Sequence, residues 1–264
     1  MAVIGIDLGT TNSLAGVWQD GKVVLIPNAF GEYLTPSVVG IGKNQEVFVG
    51  SVAKEMLATQ PYDTFREFKR NMGTNFLYGN GKKKYRAEEL SAFVLRRLKE
   101  DAEKFLGEEV TEAVISVPAY FDDNKRNATK NAGRLAGLKV ERLINEPSAV
   151  ALKHHTAEKG AESFIVFDFG GGTLDVSLVE AFDNVVEIQA VAGDNYLGGK
   201  DFNEIIAQDF YEQNQISEAY LTKNEQENVL KEAETVKKEL TDKNEAERQV
   251  YIKGEAYTLK MTNQ

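Results

Sequence analysis

Apolar positions along the chain fall into short runs that end in acidic, glycine-rich turns, separated by stretches with helical spacing. Ala2 to Ile6 is apolar and ends at Asp7-Leu8-Gly9-Thr10-Thr11. A second run, Leu14 to Trp18, meets Asp20-Gly21, a tight-turn pair, and Val23 to Ile26 completes a predicted hairpin. Strands are expected at Pro36 to Ile41 and Val47 to Val49. From Ala87 to Leu106, Leu90, Phe93, Val94, Leu98, Ala102 and Phe105 make one helical stripe, and Gly107 stops it. Ala113 to Val117 reads as a buried strand cut by Pro118. Asp122 is placed to cap a helix running to about Leu135, with Gly137 as its stop, and Glu146-Pro147 opens another through about His154.

The opening theme then returns. Ser163 to Asp168 is apolar strand, aspartate, glycines and threonine; Thr173 to Val179 predicts the next strand, Asp183-Asn184 a turn, and Val185 to Val191 a third strand. Gly198-Gly199 precedes a helix from about Asp201 to Tyr211. A second helix runs from Thr222, with Glu225 in capping-box position, to Leu240, and Gln249 to Met261 alternates like a hairpin around Lys253-Gly254. Strand, acidic turn and hairpin therefore occur once at Ile4 to Ile26 and again at Ile165 to Val191. Two copies of one α/β unit predict two lobes with a cleft between them, joined by the small, polar segment 157–163.

Composition narrows the chemistry. The 264 residues carry a net charge of -10, which argues against a nucleic-acid surface but leaves room for a nucleotide neutralised by Mg²⁺ and one lysine. With 42% apolar and 27% charged residues the chain suits an ordinary globular protein. The absence of cysteine removes disulfides, zinc thiolates and cysteine nucleophiles. The N-terminal run reaches Asp7 before it attains signal length, and no stretch is apolar enough to span a bilayer, so a cytoplasmic location is expected. The sequon at Asn127 is read as chance, and His154-His155 as surface histidines without a third metal ligand.

Each repeat places an aspartate at a strand end before a glycine- and threonine-rich turn. Glycines let backbone N–H groups approach phosphate oxygens, threonine hydroxyls add donors, and the aspartate can hold Mg²⁺ or its waters. Two decoys fail. Gly16 to Val23 nearly fits a Walker A loop, but Val23 stands where a Ser or Thr would bind Mg²⁺, and the residues lie on a hairpin. Asp168-Phe169-Gly170 looks like the kinase metal triplet, but no His-Arg-Asp loop exists and more glycines follow.

Ile4 to Ser13 and Phe167 to Ser177 resemble the two phosphate motifs of the heat-shock protein 70 (DnaK-type) chaperones. Val114 to Phe121, Arg126 to Lys130, Ala132 to Gly137, Leu143 to Ala151 and Gly193 to Phe202 resemble the same family, from residue 3 to the C-terminus. Leu25 to Asn28, Gly31 to Ser37 and Phe68 to Gly73 are most similar to its HscC branch. The resemblance implies an actin-like (ribonuclease H-like) duplicated α/β ATPase fold with a central nucleotide cleft. Lobe I would be residues 1–156 and lobe II residues 157–264, the latter incomplete and lacking the peptide-binding domain.

It also implies roles. Asp7 and Asp168 would hold the hydration shell of Mg²⁺. Gly9, Thr10, Thr11, Asn12 and Gly170, Gly171, Gly172, Thr173 would cradle phosphates, with Gly198 and Gly199 close to the nucleotide. Lys69 would stabilise the terminal phosphate, and Glu146 and Asp175 would position or deprotonate the attacking water. Glu234, Lys237, Lys238 and Thr241 would touch adenosine, and Pro118 and Arg126 would relay nucleotide state to the peptide-binding domain. The implied activity is ATP hydrolysis coupled to binding and release of unfolded polypeptides, with ATP or ADP, Mg²⁺ and K⁺ as a further cation. J-domain co-chaperones and an exchange factor are the implied partners of the full-length protein, and protein folding and stress response its setting. An actin-like filament protein or a metabolite kinase of the same superfamily is the rival reading, disfavoured by the segments at Val117 to Phe121 and Asn145 to Ala149. The later adenine motif of the family is absent, so weak nucleotide binding and self-association through uncovered strands are expected.

Overall fold

The computed structural model describes residues 2–79, 83–154, 160–182, 185–194 and 196–263. The turn expected at Asp183-Asn184 lies outside them, as do His155 and part of the 157–163 crossing.

β1 (Ala2–Leu8), β2 (Asn12–Gln19) and β3 (Lys22–Ile26) form an antiparallel meander. Asp20 and Gly21 both have positive φ (52° and 75°), as the two-residue turn requires. On the other side of β1 lie β8 (Val110–Val117) and β9 (Lys139–Asn145), both parallel, giving the order β3-β2-β1-β8-β9 with the short β4 (Thr35–Pro36) on β2. β1 is thus a central strand, and Ile4, Ile6 and Leu8 are almost fully buried. Parallel pairing needs crossovers, and helices supply them: α2 (Ala87–Leu106) and α3 (Asp123–Leu135) pack on each other in the same hydrophobic core. Asp122 caps α3 by accepting from the Lys125 amide at 2.9 Å, and Gly107 ends α2 with φ 70°. Phe105, expected in the α2 stripe, is 44% exposed; Leu106 packs against the core at the last turn instead. The three-stranded antiparallel sheet β6-β5-β7 (Val47–Val49, Val38–Ile41, Thr64–Arg66) carries α1 (Ser51–Thr59), a helix too short for its periodicity to stand out.

The repeat returns as β10 (Glu162–Phe169), β11 (Leu174–Phe182) and β12 (Val185–Asp194), again antiparallel. Here β10 is an edge strand. One sheet face meets α4 (Glu146–His154). The other, with Ile165, Phe167, Phe169 and Leu178, is exposed. A separate hydrophobic core joins α5 (Gly199–Gln213), α6 (Lys223–Glu239) and the hairpin β13-β14 (Glu245–Ile252, Glu255–Thr262). The two cores share no residue. No described helix is long and apolar enough to cross a membrane.

Candidate nucleotide site

Asp7 ends β1 inside the sheet, and the register puts Ser116 of β8 beside it. Ser116 donates to Asp7 Oδ1 at 2.8 Å, which fixes the carboxylate. Ser116 is the one polar residue of the segment Ala113–Val117, and nothing near it in the sequence points to Asp7. Gly9 is required by the turn itself: a Cβ there would lie 2.1 Å from the Asn12 carbonyl oxygen.

The second turn leaves Asp168 at the end of β10, with Asp175 paired opposite it on β11. The Gly170 amide donates to the Thr173 carbonyl at 2.9 Å and closes the turn. The amides of Gly199 and Lys200, opening α5, donate to the carbonyls of Gly170 and Gly171 at 3.0 and 2.9 Å. Gly198 and Gly199 therefore back the turn, and a Cβ on Gly198 would come within 2.4 Å of the Gly172 nitrogen.

These turns join strands of different sheets but line one cavity of about 840 Å³. Asp7, Gly9, Thr10, Thr11, Asn12, Lys69, Pro118, Glu146, Asp168 and Gly170 through Thr173 all face it. They also touch each other at its rim. A Cβ on Gly171 would sit 2.0 Å from Thr11 Oγ1, and one on Gly172 2.8 Å from the Thr10 methyl carbon. The threonines of the first turn occupy space that the glycines of the second leave open.

Lys69 is buried on the 3-10 helix Phe68–Asn71 and donates to Glu146 Oε1 at 2.9 Å. Burial pushes the Glu146 carboxyl up; Lys69 opposes this, while Asp7 and Asp168 add to it. Burial likewise raises Asp168, with Asp7 reinforcing it and Lys69 opposing. Burial raises Asp175, a hydrogen bond from Thr173 counters, and Asp168 adds to the rise. These cross-couplings place carboxylates of both halves in one field, and carboxylates that resist ionisation mark a site short of positive charge.

A magnesium–polyphosphate fits this arrangement: an N–H-rich glycine turn for the anion and excess carboxylate for the cation. Among the described residues, no three Asp, Glu, His or Cys side chains converge as direct metal ligands. A divalent cation here would draw most of its coordination from water and phosphate oxygens, the usual habit of Mg²⁺.

The remaining predicted residues lie elsewhere. Asp175 faces an adjoining cavity of about 510 Å³ that shares Pro118, Glu146 and Asp168 with the first. Arg126 donates to the Phe121 carbonyl at 2.8 Å and to Asn145 Oδ1 at 2.7 Å, pinning the loop after Pro118. Glu234 and Lys238 of α6 line a third hollow of about 660 Å³, which meets the phosphate cavity at Asn12. Glu234 bonds Lys54 of α1 at 3.1 Å. Lys237 reaches the Gly199 carbonyl, and Thr241 lies just past the end of α6. Arg70, Tyr120, Lys125 and Tyr196 line the phosphate cavity without having been singled out by the sequence. Tyr120 is raised well above an ordinary phenol, first by burial and then by Asp175 and Glu146.

Comparison with known families agrees with this geometry. The family model described as Hsp70 protein matches residues 3–80 and 77–262, nearly the whole chain. Proteins of that family are nucleotide-binding chaperones with an actin-like ATPase fold, which bind ATP and ADP with Mg²⁺ and hydrolyse ATP. With two acidic glycine turns from separate sheets meeting on one cavity, and a match that spans both, this chain belongs to the Hsp70 protein family.

Proposed function

We propose that this chain is the ATP-binding and ATP-hydrolysing unit of a cytoplasmic DnaK-type chaperone of the HscC branch. It would have two lobes, residues 1–156 and 157–264, hinged about the cleft. In the full-length protein the unit couples hydrolysis to binding and release of unfolded polypeptides, with a J-domain co-chaperone and an exchange factor as partners.

The observation that carries this reading is the convergence of Asp7, Lys69, Glu146 and Asp168 on one cavity walled by both glycine turns. Mg²⁺, when bound, supplies charge neutralisation at the β- and γ-phosphates. Asp7, held by Ser116, and Asp168 orient the waters around it. The turn N–H groups and the Thr10 and Thr11 hydroxyls hold phosphate oxygens. Glu146, raised by burial, orients the attacking water and accepts its proton, with Asp175 behind it. Lys69 lies 2.9 Å from Glu146, close enough to shift its charge toward the terminal phosphate as negative charge develops there. Glu234, Lys237, Lys238 and Thr241 would receive the nucleoside, reached past Asn12.

The test is calorimetric titration with MgATP alongside single-turnover hydrolysis. Lys69→Ala should slow hydrolysis by about 100-fold or more while changing MgADP affinity far less, because its charge matters most as the bond breaks. Hydrolysis undiminished in Lys69→Ala would remove the proposed role.

A further inference from the structure

Two consecutive cations on the 3-10 helix Phe68–Asn71 take different partners. Lys69 stays with Glu146. Arg70 reaches the other half of the molecule: its Nη2 donates to the Gly172 carbonyl and lies 3.7 Å from Asp201 Oδ2, and its guanidinium sits over the Tyr196 ring at 5.7 Å. On its own side, Nη1 is 3.6 Å from Glu67 Oε2, a carboxylate that Lys200 of the other half also reaches, at 2.7 Å. Asp201 accepts from the Gly198 amide at 2.7 Å, so Arg70 grips the glycine turn and the start of α5 as one unit.

The glycine turn leaves room for the guanidinium. Arg70 is 13% exposed, and its Nε is buried without a partner. A Cβ on Gly172 would lie 3.2 Å from that Nε and 3.3 Å from Nη2, so the glycine leaves the planar group its space. A charged donor shielded from water forms stronger hydrogen bonds than an exposed one, and a lysine offers neither the fork nor the flat face that stacks on Tyr196.

We infer that Arg70 is a latch between the two halves, a positioning residue that seats the Gly170–Thr173 turn against the first half and thereby sets how long a nucleotide stays in the cleft. The second part rests on the function proposed above; the latch itself does not. Because Lys69 and Arg70 share one short helix, the residue that meets the terminal phosphate and the residue that shuts the cleft move together.

Full-length chain carrying Arg70→Gln, Arg70→Lys or Asp201→Asn tests this in two measurements. Without nucleotide, hydrogen exchange across residues 170–175 should quicken about tenfold in Arg70→Gln, and less in Asp201→Asn. With nucleotide, stopped-flow release of MgADP and of MgATP should each quicken about tenfold, by the same factor, and Arg70→Lys should recover only a minor part. Unchanged exchange overturns the latch. Faster MgATP release with unchanged MgADP release also overturns it, because Arg70 would then hold the terminal phosphate rather than the turn. If the unaltered chain binds neither nucleotide, the proposed function fails while the exchange measurement still decides the latch.

Discussion

The turns Asp7 to Leu14 and Asp168 to Asp175 have equal length and equal placement, each bridging two antiparallel strands whose end residues pair. They differ in what fills them. The first carries Thr10 and Thr11 where the second carries Gly171 and Gly172, and the structure sets the threonines of one against the glycines of the other. The duplicated halves have become complementary instead of identical, which lets two similar loops close on one cavity without colliding. A second difference is chemical: Leu14 in the first copy corresponds to Asp175 in the second, so only the second turn carries a carboxylate at both ends. A third is tertiary. β1 lies between two neighbours with Ile4 at 1% exposure, whereas β10 is an edge with Phe167 at 65%. The same local pattern of strand and turn acquired a buried setting once and an open one once.

The largest way to break this comparison is to truncate equivalent strand positions. Ile4→Ala should cost about 2–5 kcal/mol, since a fully buried side chain leaves a cavity. Ile165→Ala, the equivalent position on β10 at 66% exposure, should cost less than about 1 kcal/mol. Urea unfolding of both variants checks this, and similar losses would mean that the exposed face of β10 is covered in solution. The complementarity of the turns is tested by Gly171→Ala, whose new Cβ would meet Thr11. MgATP affinity should fall about tenfold or more, and adding Thr11→Ala should restore part of it, a non-additivity expected of residues in contact. Strict additivity would mean that the turns do not touch in solution.

The smallest effect concerns the outer closure between α1 and α6. Burial pushes the Glu234 carboxyl up, but hydrogen bonds from Lys238 and Lys54, together with their charges, outweigh it and hold it down at about 2, below its ordinary 4.5. A depressed carboxyl stabilises the fold fully above the ordinary value and loses that contribution as pH falls toward about 2. Lys54→Ala should therefore cost under about 1 kcal/mol at pH 7, and the difference should shrink by pH 3. A penalty undiminished in acid would assign the loss to packing. At the centre of the cleft the sign reverses. Glu146, Asp168 and Asp175 are all raised, so the ligand-free protein should lose stability as pH climbs through their folded values.

Much of the fold was legible because local rules dominate there. The Asp20-Gly21 and Lys253-Gly254 turns, the Asp122 cap, the Gly107 stop and the α2 periodicity each act within a few residues. The two acidic turns were legible for the same reason, and their repetition pointed to a shared cleft. Four things were not legible. α1 was missed because nine residues with mixed polarity give no clear stripe. Ser116 and Arg70 were passed over because a serine in a strand and an arginine beside a lysine say nothing locally about Asp7 or Gly172, which lie 109 and 102 positions away. Glu234 was expected beside nucleoside, and its partner Lys54, 180 positions earlier, was invisible for the same reason.

The amino-acid sequence by itself determined the hairpins, the caps and the two phosphate-type turns, since backbone conformation and neighbouring side chains fix those within a single turn of chain. Only the tertiary structure decided which carboxylates share one field, which glycine makes room for which threonine, and where Arg70 reaches. Those depend on how separate strands and helices pack, and electrostatic coupling follows distance in space rather than distance along the chain.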